Sequence, residues 1–317
     1  MKQRIALITG GSGQIGSYQA KFLLGKNYKI FITTRGLRKE NNLKKLKILN
    51  KIKIIKTNLK SKSKVFKLIQ EIKPDEIYFY SGISNIQETI RKPKETLIAN
   101  YDACKNIVEA IKHIAPKCVF FNANSIQIYG NTKNKININQ RKYNPTTPYA
   151  KAKLKSFLLI RKYRKKFSLH LFNGLFLNTE SILRPKYYVI SKICYFVAKF
   201  EKKLGKKLIL GDVNIKRDWG WCEEYVKIVW KYIQTNPGDF IIGSGKTYSL
   251  KKMITIAFQM SGLQWKEHVK LEKSFLRKHE INSISANIKE TTKRTGVAPK
   301  IYGKKLIKKL INFYKNA

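Results

Sequence analysis

The chain has 317 residues, enough for one large hydrophobic core or two lobes, and its hydrophobic fraction of 43% is ordinary for a globular protein, so disorder is not the default expectation. Basic residues number 66 and acidic residues 19, so the formal net charge is +47. No apolar run reaches the roughly 18 residues of a membrane span, and the first residues lack the pattern of a signal peptide, so we expect a cytoplasmic protein with no membrane partner.

Short apolar runs alternate with helical patterns through the first half of the chain. The predicted strands, in chain order, are "RIALIT", "KIFITT", "KIKIIKT", "EIYFYSG", "KCVFFNAN" and "LHLFNGLF". The predicted helices between them are "QIGSYQAKFLLGKN", which ends near Gly25, "SKSKVFKLIQEIKP" and "ETLIANYDACKNIVEAIKHIAP". This alternation predicts an α/β fold with a Rossmann-type, doubly wound parallel sheet covered on both faces. After about residue 175 the pattern loosens into loops and helices, which predicts a smaller second lobe packed on the first.

A glycine-rich stretch joins the first predicted strand to the first predicted helix. In "TGGSGQIG" the residues Gly10, Gly13 and Gly16 have the spacing G-x-x-G-x-x-G. At the start of a helix this spacing lets the backbone of Gln14 and Ile15 approach a pyrophosphate closely. The strand before the glycines and the helix after them favour a dinucleotide-binding loop over a plain tight turn.

The end of the second strand bears on which dinucleotide binds. An acidic residue there would bond the adenosine ribose and favour NAD, but "TTRG" places Arg35 at this point, with Arg38 nearby. A guanidinium suits a 2′-phosphate, so the sequence predicts NADP as the cofactor. The alternative is two ordinary surface arginines. Asn58, after the third strand, is a candidate for bonding the adenine edge.

Tyr149 and Lys153 form a Tyr-x-x-x-Lys pair in "PYAKAK" and share one face of a predicted helix. An ammonium beside a phenol is expected to lower the phenol pKa, so that the phenolate can take a proton from a sugar hydroxyl. Ser125, in "FNANSIQIYG", can bond the same oxygen. We predict that these three residues are catalytic; the alternative for Tyr149 is a place in the core.

The large positive charge has two interpretations. It would attract nucleic acid or a phosphorylated ligand, whereas abundant Lys, Ile and Asn also follow from A/T-rich codons. The lysines are spread over the whole chain rather than gathered in one stripe, which favours the codon interpretation and predicts no specific nucleic-acid partner. The four cysteines lack C-x-x-C spacing and the four histidines do not cluster, so we expect no metal site.

Together these residues resemble the extended short-chain dehydrogenase/reductase family and, within it, the GDP-mannose 4,6-dehydratase family. "GQIGSY" is similar to that family's G-Q-x-G-S-Y, and "LGDVNIKRDWGW" to its L-G-N-x-x-x-x-R-D-W-G, the most specific of the matches. "FNGLFLNTES" resembles N-G-x-L-F-N-H-E-S, with Thr179 in place of the histidine. "FLRKHEINSI" and "RTGVAPK" are similar to F-R-P-x-E-V and L-G-W-x-P-K, so the similarity runs from about residue 3 to the last helix.

The resemblance implies a lyase that acts on a GDP-sugar, GDP-mannose or a close relative, with NADP as cofactor, in a homodimer or homotetramer. It implies an NADP-binding Rossmann domain over residues 1–175 and a mainly nucleotide-sugar-binding lobe over residues 176–317, some of whose strands and helices return to the first domain. The residues assigned to binding by position are Asn178 and Lys192 on the substrate's diphosphate side, Arg217 and Arg277 on its pyrophosphate, Glu280 on its nucleoside, Ser84 elsewhere in the substrate site, and Arg184 on cofactor phosphate, within the chain or across a subunit interface.

Gln127 departs from the family pattern at a catalytic position. The family reads A-S-T-S-E-L-Y-G where this chain reads "ANSIQIYG", so Ser125 falls on the threonine and Gln127 on the glutamate. In the family mechanism the tyrosinate takes the O4 proton as hydride leaves C4 for NADP. The glutamate then removes the C5 proton, water leaves from C6, and hydride returns to C6. A neutral amide cannot act as that base.

Three interpretations of this departure stay open. Another group serves as the base, with Glu180 the next candidate, or elimination is slow. Alternatively, the enzyme stops at C4 chemistry, as an NADP-dependent nucleotide-sugar oxidoreductase or epimerase would. The third is a non-catalytic nucleotide-sensing or nucleic-acid-binding protein, against which the intact Tyr149 and Lys153 argue. The motifs of the second half favour a dehydratase-like enzyme, because they match that family better than its C4-acting relatives.

Overall fold

The computed structural model describes residues 2–37, 41–132, 134–203, 205–275 and 281–316. Within these ranges, none of the helices combines the length and the apolar character that crossing a membrane requires. The strands are β1 (Ile5–Thr9), β2 (Lys29–Thr34), β3 (Lys53–Lys56), β4 (Glu76–Phe79), β5 (Val119–Ser125), β6 (Leu171–Phe176), β7 (Asn178–Glu180), β8 (Leu208–Leu210), β9 (Lys216–Arg217), β10 (Trp219–Trp221), β11 (Asp239–Ile242), β12 (Tyr248–Ser249) and β13 (Val269–Leu271).

The helices occupy most of the chain between the strands. They are α1 (Gln14–Leu24), α2 (Asn42–Lys45), α3 (Lys62–Ile72), α4 (Ile86–Arg91), α5 (Pro93–Leu97), α6 (Ala103–Ile114), α7 (Pro148–Phe167), α8 (Val189–Ala198), α9 (Cys222–Ile233), α10 (Leu250–Gln259), α11 (Trp265–His268), α12 (Lys289–Thr295) and α13 (Gly303–Lys315). A π-helical segment, Ile98–Asp102, joins α5 to α6, and a 3₁₀ turn, Ile126–Tyr129, follows β5.

The main sheet of the described chain has seven parallel strands in the order β11-β6-β5-β4-β1-β2-β3. The strand order reverses beside β1, and ligands of such sheets bind in the crevice at the carboxyl ends of the strands at that point. Strands β4 and β6 are buried throughout, whereas the edge strand β3 is largely exposed. The predicted Rossmann-type, doubly wound sheet is confirmed.

Helices cover both faces of this sheet. On one face, Ile107 and Ile111 of α6 share a core with Val65 of α3. On the other face, Leu23 of α1 and Val226 of α9 belong to a second core. Because α9 and β11 both come from the second half of the chain, that half completes the sheet and one of its covering layers.

The predicted helix over residues 95–116 is interrupted in the structure. Asn100 lies in the π-helical segment and is buried. Its Nδ2 donates to the Thr96 carbonyl oxygen at 2.9 Å and to the Ile83 carbonyl oxygen at 3.2 Å. These bonds tie the widened turn to the segment that follows β4, and π-helical turns of this kind are typical of functional sites.

The second half contains strands that the sequence pattern does not predict, namely β11, which completes the main sheet, and the strands of three small sheets. Three two-stranded sheets pair β7 with β10, β8 with β13, and β9 with β12. Each strand has two or three residues, too few to show a period of two. Residues of these strands and of neighbouring helices form a separate core that includes Ile193, Trp221, Met253 and Leu310. A domain boundary near residue 175 stays a prediction.

Candidate active site

Glycines shape the loop between β1 and α1 and the first turn of α1. Gly10 has a φ of +66°, and a Cβ there would lie 2.9 Å from neighbouring backbone atoms. A Cβ at Gly16 would lie 2.4 Å from the Gly10 carbonyl oxygen, so both positions require glycine. Gly13 caps α1 without a side-chain hydrogen bond. The backbone N–H groups of the first turn, including those of Gln14 and Ile15, therefore suit an anionic diphosphate.

The end of β2 lies beside this glycine loop. The Oγ1 atom of Thr34 is 3.4 Å from the Oγ atom of Ser12, which brings the strand end and the loop into contact. Arg35 follows Thr34 and is exposed, whereas Arg38 lies outside the described residues. Asn58 Oδ1 accepts a hydrogen bond at 3.1 Å from a backbone N–H of its own turn, so its carbonyl oxygen is used within the chain.

Helix α7 carries Tyr149 and Lys153 near its start. Thr147 Oγ1 accepts a hydrogen bond from the first turn of the helix and caps it. Lys153 Nζ donates to the Ala123 carbonyl oxygen of β5 at 2.7 Å, and Asn124 Nδ2 donates to the Lys153 carbonyl oxygen at 2.9 Å. These two hydrogen bonds lock the start of α7 onto the carboxyl end of β5.

Burial controls the proton affinity of both residues. It raises the pKa of Tyr149 to about 12, and a hydrogen bond with the Ser125 side chain opposes the shift. Burial also lowers the pKa of Lys153 to about 8. The net shift of the Tyr149 pKa is opposite to the predicted lowering, because loss of hydration on burial is its largest cause. The Lys153 ammonium lies 5.8 Å from the centre of the phenol ring.

Ser125 and Gln127 lie where β5 ends. Ser125 is 6% exposed, and its Oγ accepts a hydrogen bond at 3.3 Å from the Gln127 N–H at the start of the 3₁₀ turn. Ser125, Tyr149 and Lys153 therefore meet at the carboxyl end of β5, as the sequence predicts. Gln127 is half-buried in the turn directly beside them and presents an amide rather than a carboxylate.

Arg184 lies in the loop after β7 and contacts the glycine loop of its own chain. Its Nη1 donates to Gln14 Oε1 at 3.2 Å, and Gln14 Nε2 donates to the Thr179 carbonyl oxygen at 3.2 Å. Its guanidinium carbon lies 3.5 Å from the centre of the Tyr188 ring. Of the two arrangements that the sequence leaves open for Arg184, these contacts favour a role within the chain.

Tyr188 is a residue of this site that sequence reasoning missed. Its phenol raises the pKa of Tyr149 electrostatically, a smaller effect than burial, so the two hydroxyls are neighbours. The ring of Tyr187 packs on it with centroids 4.7 Å apart, and the Tyr187 hydroxyl interacts with Asn85 at the start of α4. The tyrosine pair thus reaches from the second half to the first half of the site. The one sequence signal is the aromatic pair in "RPKYY".

Two cations assigned to the substrate's phosphates are engaged with backbone in the second half. Lys192 Nζ donates to the Ile209 carbonyl oxygen at 2.7 Å, and burial lowers the pKa of Lys192. Arg217 is 8% exposed, and its Nη1 donates to the Lys216 carbonyl oxygen at 2.9 Å. A phosphate at either position would share the cation with these carbonyl groups.

The other residues assigned to the substrate are spread over both halves. Asn178 opens β7 and is half-buried, and Ser84 is exposed just before α4. Arg277 and Glu280 lie outside the described residues. Across the described ranges no group of three His, Cys, Asp or Glu side chains is arranged to hold a metal ion.

The fold and this site define a Rossmann-type short-chain dehydrogenase/reductase. The UDP-glucose 4-epimerase of Thermus thermophilus, solved in complex with NAD, has a TM-score of 0.85 at 16% identity and matches over 99% of both chains. DesIV, a dTDP-glucose 4,6-dehydratase of Streptomyces venezuelae solved with NAD and TYD bound, has a TM-score of 0.85 at 17% identity, over 98% of this chain and 97% of its own. At such identities the likeness shows the fold alone.

Sequence comparison identifies the family. The family model for GDP-mannose 4,6 dehydratase matches residues 7–310. GDP-mannose 4,6 dehydratase 1 of Arabidopsis thaliana is 27% identical over 327 aligned positions, covering 98% of this chain and 89% of its own. A GDP-mannose 4,6-dehydratase of Vibrio cholerae is 30% identical over 264 positions, covering 80% and 71%. The chain belongs to the GDP-mannose 4,6-dehydratase family.

Proposed function

We propose that the protein is a lyase of the GDP-mannose 4,6-dehydratase type that acts on GDP-mannose or a closely related GDP-sugar. The observation that carries the proposal is the group of Ser125, Tyr149 and Lys153 at the carboxyl end of β5. The family match over residues 7–310 supports the same activity. A cytoplasmic homodimer or homotetramer stays a prediction.

The proposed cofactor is a nicotinamide dinucleotide. Of the two such dinucleotides, we propose NADP rather than NAD. The glycine loop fits its diphosphate, since a side chain at Gly10 or Gly16 would clash with backbone and α1 begins without a side-chain cap. The exposed Arg35 would pair with the 2′-phosphate. When bound, the nicotinamide ring supplies the acceptor for hydride from C4 and the donor for its return to C6.

The chain's own residues would carry the proton transfer at O4. Tyr149 is the proton acceptor, and Ser125 orients the sugar oxygen toward it. Because the pKa of Tyr149 is about 12, the phenol is protonated at neutral pH and its ionisation needs positive charge nearby. Arg184 lowers the Tyr149 pKa in part, and Lys153 adds an ammonium fixed to β5.

The proton at C5 has no evident acceptor among these residues. Gln127 presents a neutral amide at the position of the family's glutamate, which cannot take the proton. The Glu180 side chain is only 2% exposed, so a sugar carbon cannot reach its carboxylate as the site stands. We therefore propose that C4 oxidation is efficient and water elimination slow. Gln127 also favours the second candidate function, a nucleotide-sugar C4 oxidoreductase or epimerase that does not eliminate water.

The test is incubation of purified protein with GDP-mannose and NADP, followed by mass spectrometry of the sugar product. Loss of water, at whatever rate, supports the dehydratase type, provided that Tyr149→Phe abolishes it. A 4-keto or epimerised product of unchanged water content supports the C4 oxidoreductase. No reaction with GDP-mannose, combined with turnover of a UDP- or dTDP-sugar, would reject the GDP-sugar assignment.

A further inference from the structure

Glu180, the last residue of β7, carries a buried carboxyl group that the proposed reaction does not use. Its side chain is 2% exposed, and its Oε2 has no hydrogen-bond partner within the described residues. Burial raises its pKa to about 7, while Arg184 and, to a smaller extent, Ser191 favour the charged form. A buried carboxyl group that titrates near neutral pH and lacks a full set of partners calls for a physical explanation.

Four elements surround this carboxyl group, namely the loop after β7, α8, α9 and α13. The titratable groups that face it are Arg184, Cys194, Cys222, Tyr225 and Tyr314. Burial raises the pKa of each of these cysteines and tyrosines, so they are neutral across the physiological range. Arg184 is therefore the charged group in this set with which an ionised Glu180 can pair.

Arg184 lies between Glu180 and the proposed dinucleotide and catalytic site. Its Nε lies 3.9 Å from Glu180 Oε1, just beyond hydrogen-bond distance, and this Nε has no partner in the described structure. On its other side, Nη1 donates to Gln14 at the start of α1, and the guanidinium charge lowers the pKa of Tyr149. One guanidinium thus connects a buried acid, the helix start suited to a diphosphate, and the proposed catalytic phenol.

We propose that Glu180 is a positioning residue whose ionisation competes with an anionic dinucleotide for Arg184, so that dinucleotide binding is coupled to uptake of a proton by Glu180. The inference rests on the proposed dinucleotide site. Ionised Glu180 draws the guanidinium back and offsets its charge. When Glu180 is protonated, the Arg184 guanidinium is free to pair with the ligand. The protein with protonated Glu180 therefore binds the ligand more tightly. By reciprocity, the bound ligand must favour the protonated form of Glu180.

The experiment is calorimetric titration of the full chain with NAD and with NADP, in buffers of different ionisation enthalpy, between about pH 6 and pH 8.5. NAD lacks the 2′-phosphate, whose own titration near pH 6 would otherwise contribute. For wild type we expect proton uptake that grows above pH 7 toward about one proton per dinucleotide, with a Kd that rises by up to about tenfold per pH unit. For Glu180→Gln we expect that uptake to disappear and the Kd at high pH to match wild type at low pH.

Glu109→Gln is the matched control, because Glu109 is a partly buried carboxyl on α6 that contacts Tyr163 rather than the site. It should keep the wild-type proton uptake. Arg184→Gln is a second, independent test. Removal of the connecting guanidinium should also abolish the coupling between dinucleotide binding and proton uptake. Binding by wild type without proton uptake, or with uptake that Glu180→Gln retains, would overturn the role of Glu180. Failure of wild type to bind either dinucleotide would overturn the proposed site itself.

Discussion

The two sides of the proposed cleft hold their polar side chains in different ways. On the side of β5 and α7, Lys153 is bonded to the backbone of Ala123, and Ser125 is fixed by its place at the end of a buried strand. On the side of the loop after β7, Arg184 is held by the side chains of Gln14 and Tyr188. The first side is built into the sheet, whereas the second depends on contacts between side chains.

The two chemical steps would both use the first side, but they would use different residues of it. The proton transfer at O4 would use residues of the built-in side, and those residues are present. The proton transfer at C5 would use the residue at position 127, in the turn after β5, where the chain has an amide. A change at one side chain of a turn can therefore remove one step and leave the fold and the other step in place.

The largest expected effect is loss of the O4 proton acceptor. Tyr149→Phe should lower the rate of C4 oxidation by at least about 10²–10⁴, because the acceptor hydroxyl is gone. Formation of reduced nicotinamide in a single turnover with GDP-mannose measures this rate. The matched control is Tyr163→Phe, the same change on the same helix, where the hydroxyl contacts Glu109. Equal rates in both variants would show that the α7 side does not carry the proton transfer.

Restoring a carboxylate at position 127 should have the next largest effect. Gln127→Glu should raise the rate of water loss by about 10²–10⁴, the usual contribution of a general base, and leave C4 oxidation nearly unchanged. The readout is the product mass as a function of time. Gln70→Glu, the same change at an exposed position of α3, controls for added negative charge. A gain in C4 oxidation equal to the gain in water loss would contradict the separation of the two steps.

The charge of Glu180 should affect stability in a pH-dependent way. Its folded-state pKa of about 7 lies above the ordinary value of 4.5, so the native state binds the proton more tightly than the unfolded state. The free energy of unfolding should therefore fall as the pH rises from about 4.5 to about 7. Glu180→Gln has no carboxyl group to titrate at this position. Its free energy of unfolding should therefore exceed that of wild type by about 1–3 kcal/mol near pH 8, and by little near pH 4.5. Denaturant unfolding at both pH values measures the difference, and a pH-independent difference would refute it.

Removal of the Arg35 guanidinium should change the free energy of NADP binding by an amount comparable to, or smaller than, the stability change expected for Glu180→Gln. Arg35→Ala should weaken NADP binding by roughly 1–3 kcal/mol and leave NAD binding nearly unchanged, since only NADP offers a 2′-phosphate to the guanidinium. Calorimetry at one fixed salt concentration supplies both dissociation constants. Arg91→Ala, at an exposed arginine of α4, controls for the loss of one positive charge. Tighter binding of NAD than NADP by wild type would reject the NADP assignment.

Sequence predicts the built-in side well because its signals are local. Strands β1 to β6 are apolar runs of four to seven residues, whereas β11, which joins the sheet from the second half, is not predicted. The Gly10–Gly16 and Tyr149–Lys153 spacings each lie within a short stretch of chain. The strands of the three small sheets have two or three residues and leave no periodic pattern. The π-helical segment depends on Asn100 reaching the Ile83 carbonyl oxygen, a tertiary contact that helical periodicity does not encode.

The contacts of Arg184 and the pKa shift of Tyr149 could not be predicted for a related reason. Arg184 and Gln14 are 170 positions apart in the chain, and only the folded sheet brings them together. The direction of the Tyr149 pKa shift depends on burial at the junction of β5 and α7, which the Tyr-x-x-x-Lys spacing does not report. The family motif does mark Glu180 as part of "NTES". Only the structure, however, shows that its buried carboxyl group faces the Arg184 guanidinium.

Solvent-deuterium incorporation at C5 of GDP-mannose by wild-type protein tests most directly whether the C4 step proceeds without an efficient C5 step. With NADP in deuterated water, we expect reduced nicotinamide and a 4-keto sugar to form while C5 keeps its protium and water is lost slowly. Gln127→Glu should then incorporate deuterium and lose water together. Rapid deuterium incorporation and water loss by wild type, unchanged in Gln127→Glu, would contradict this and place the C5 base on another residue.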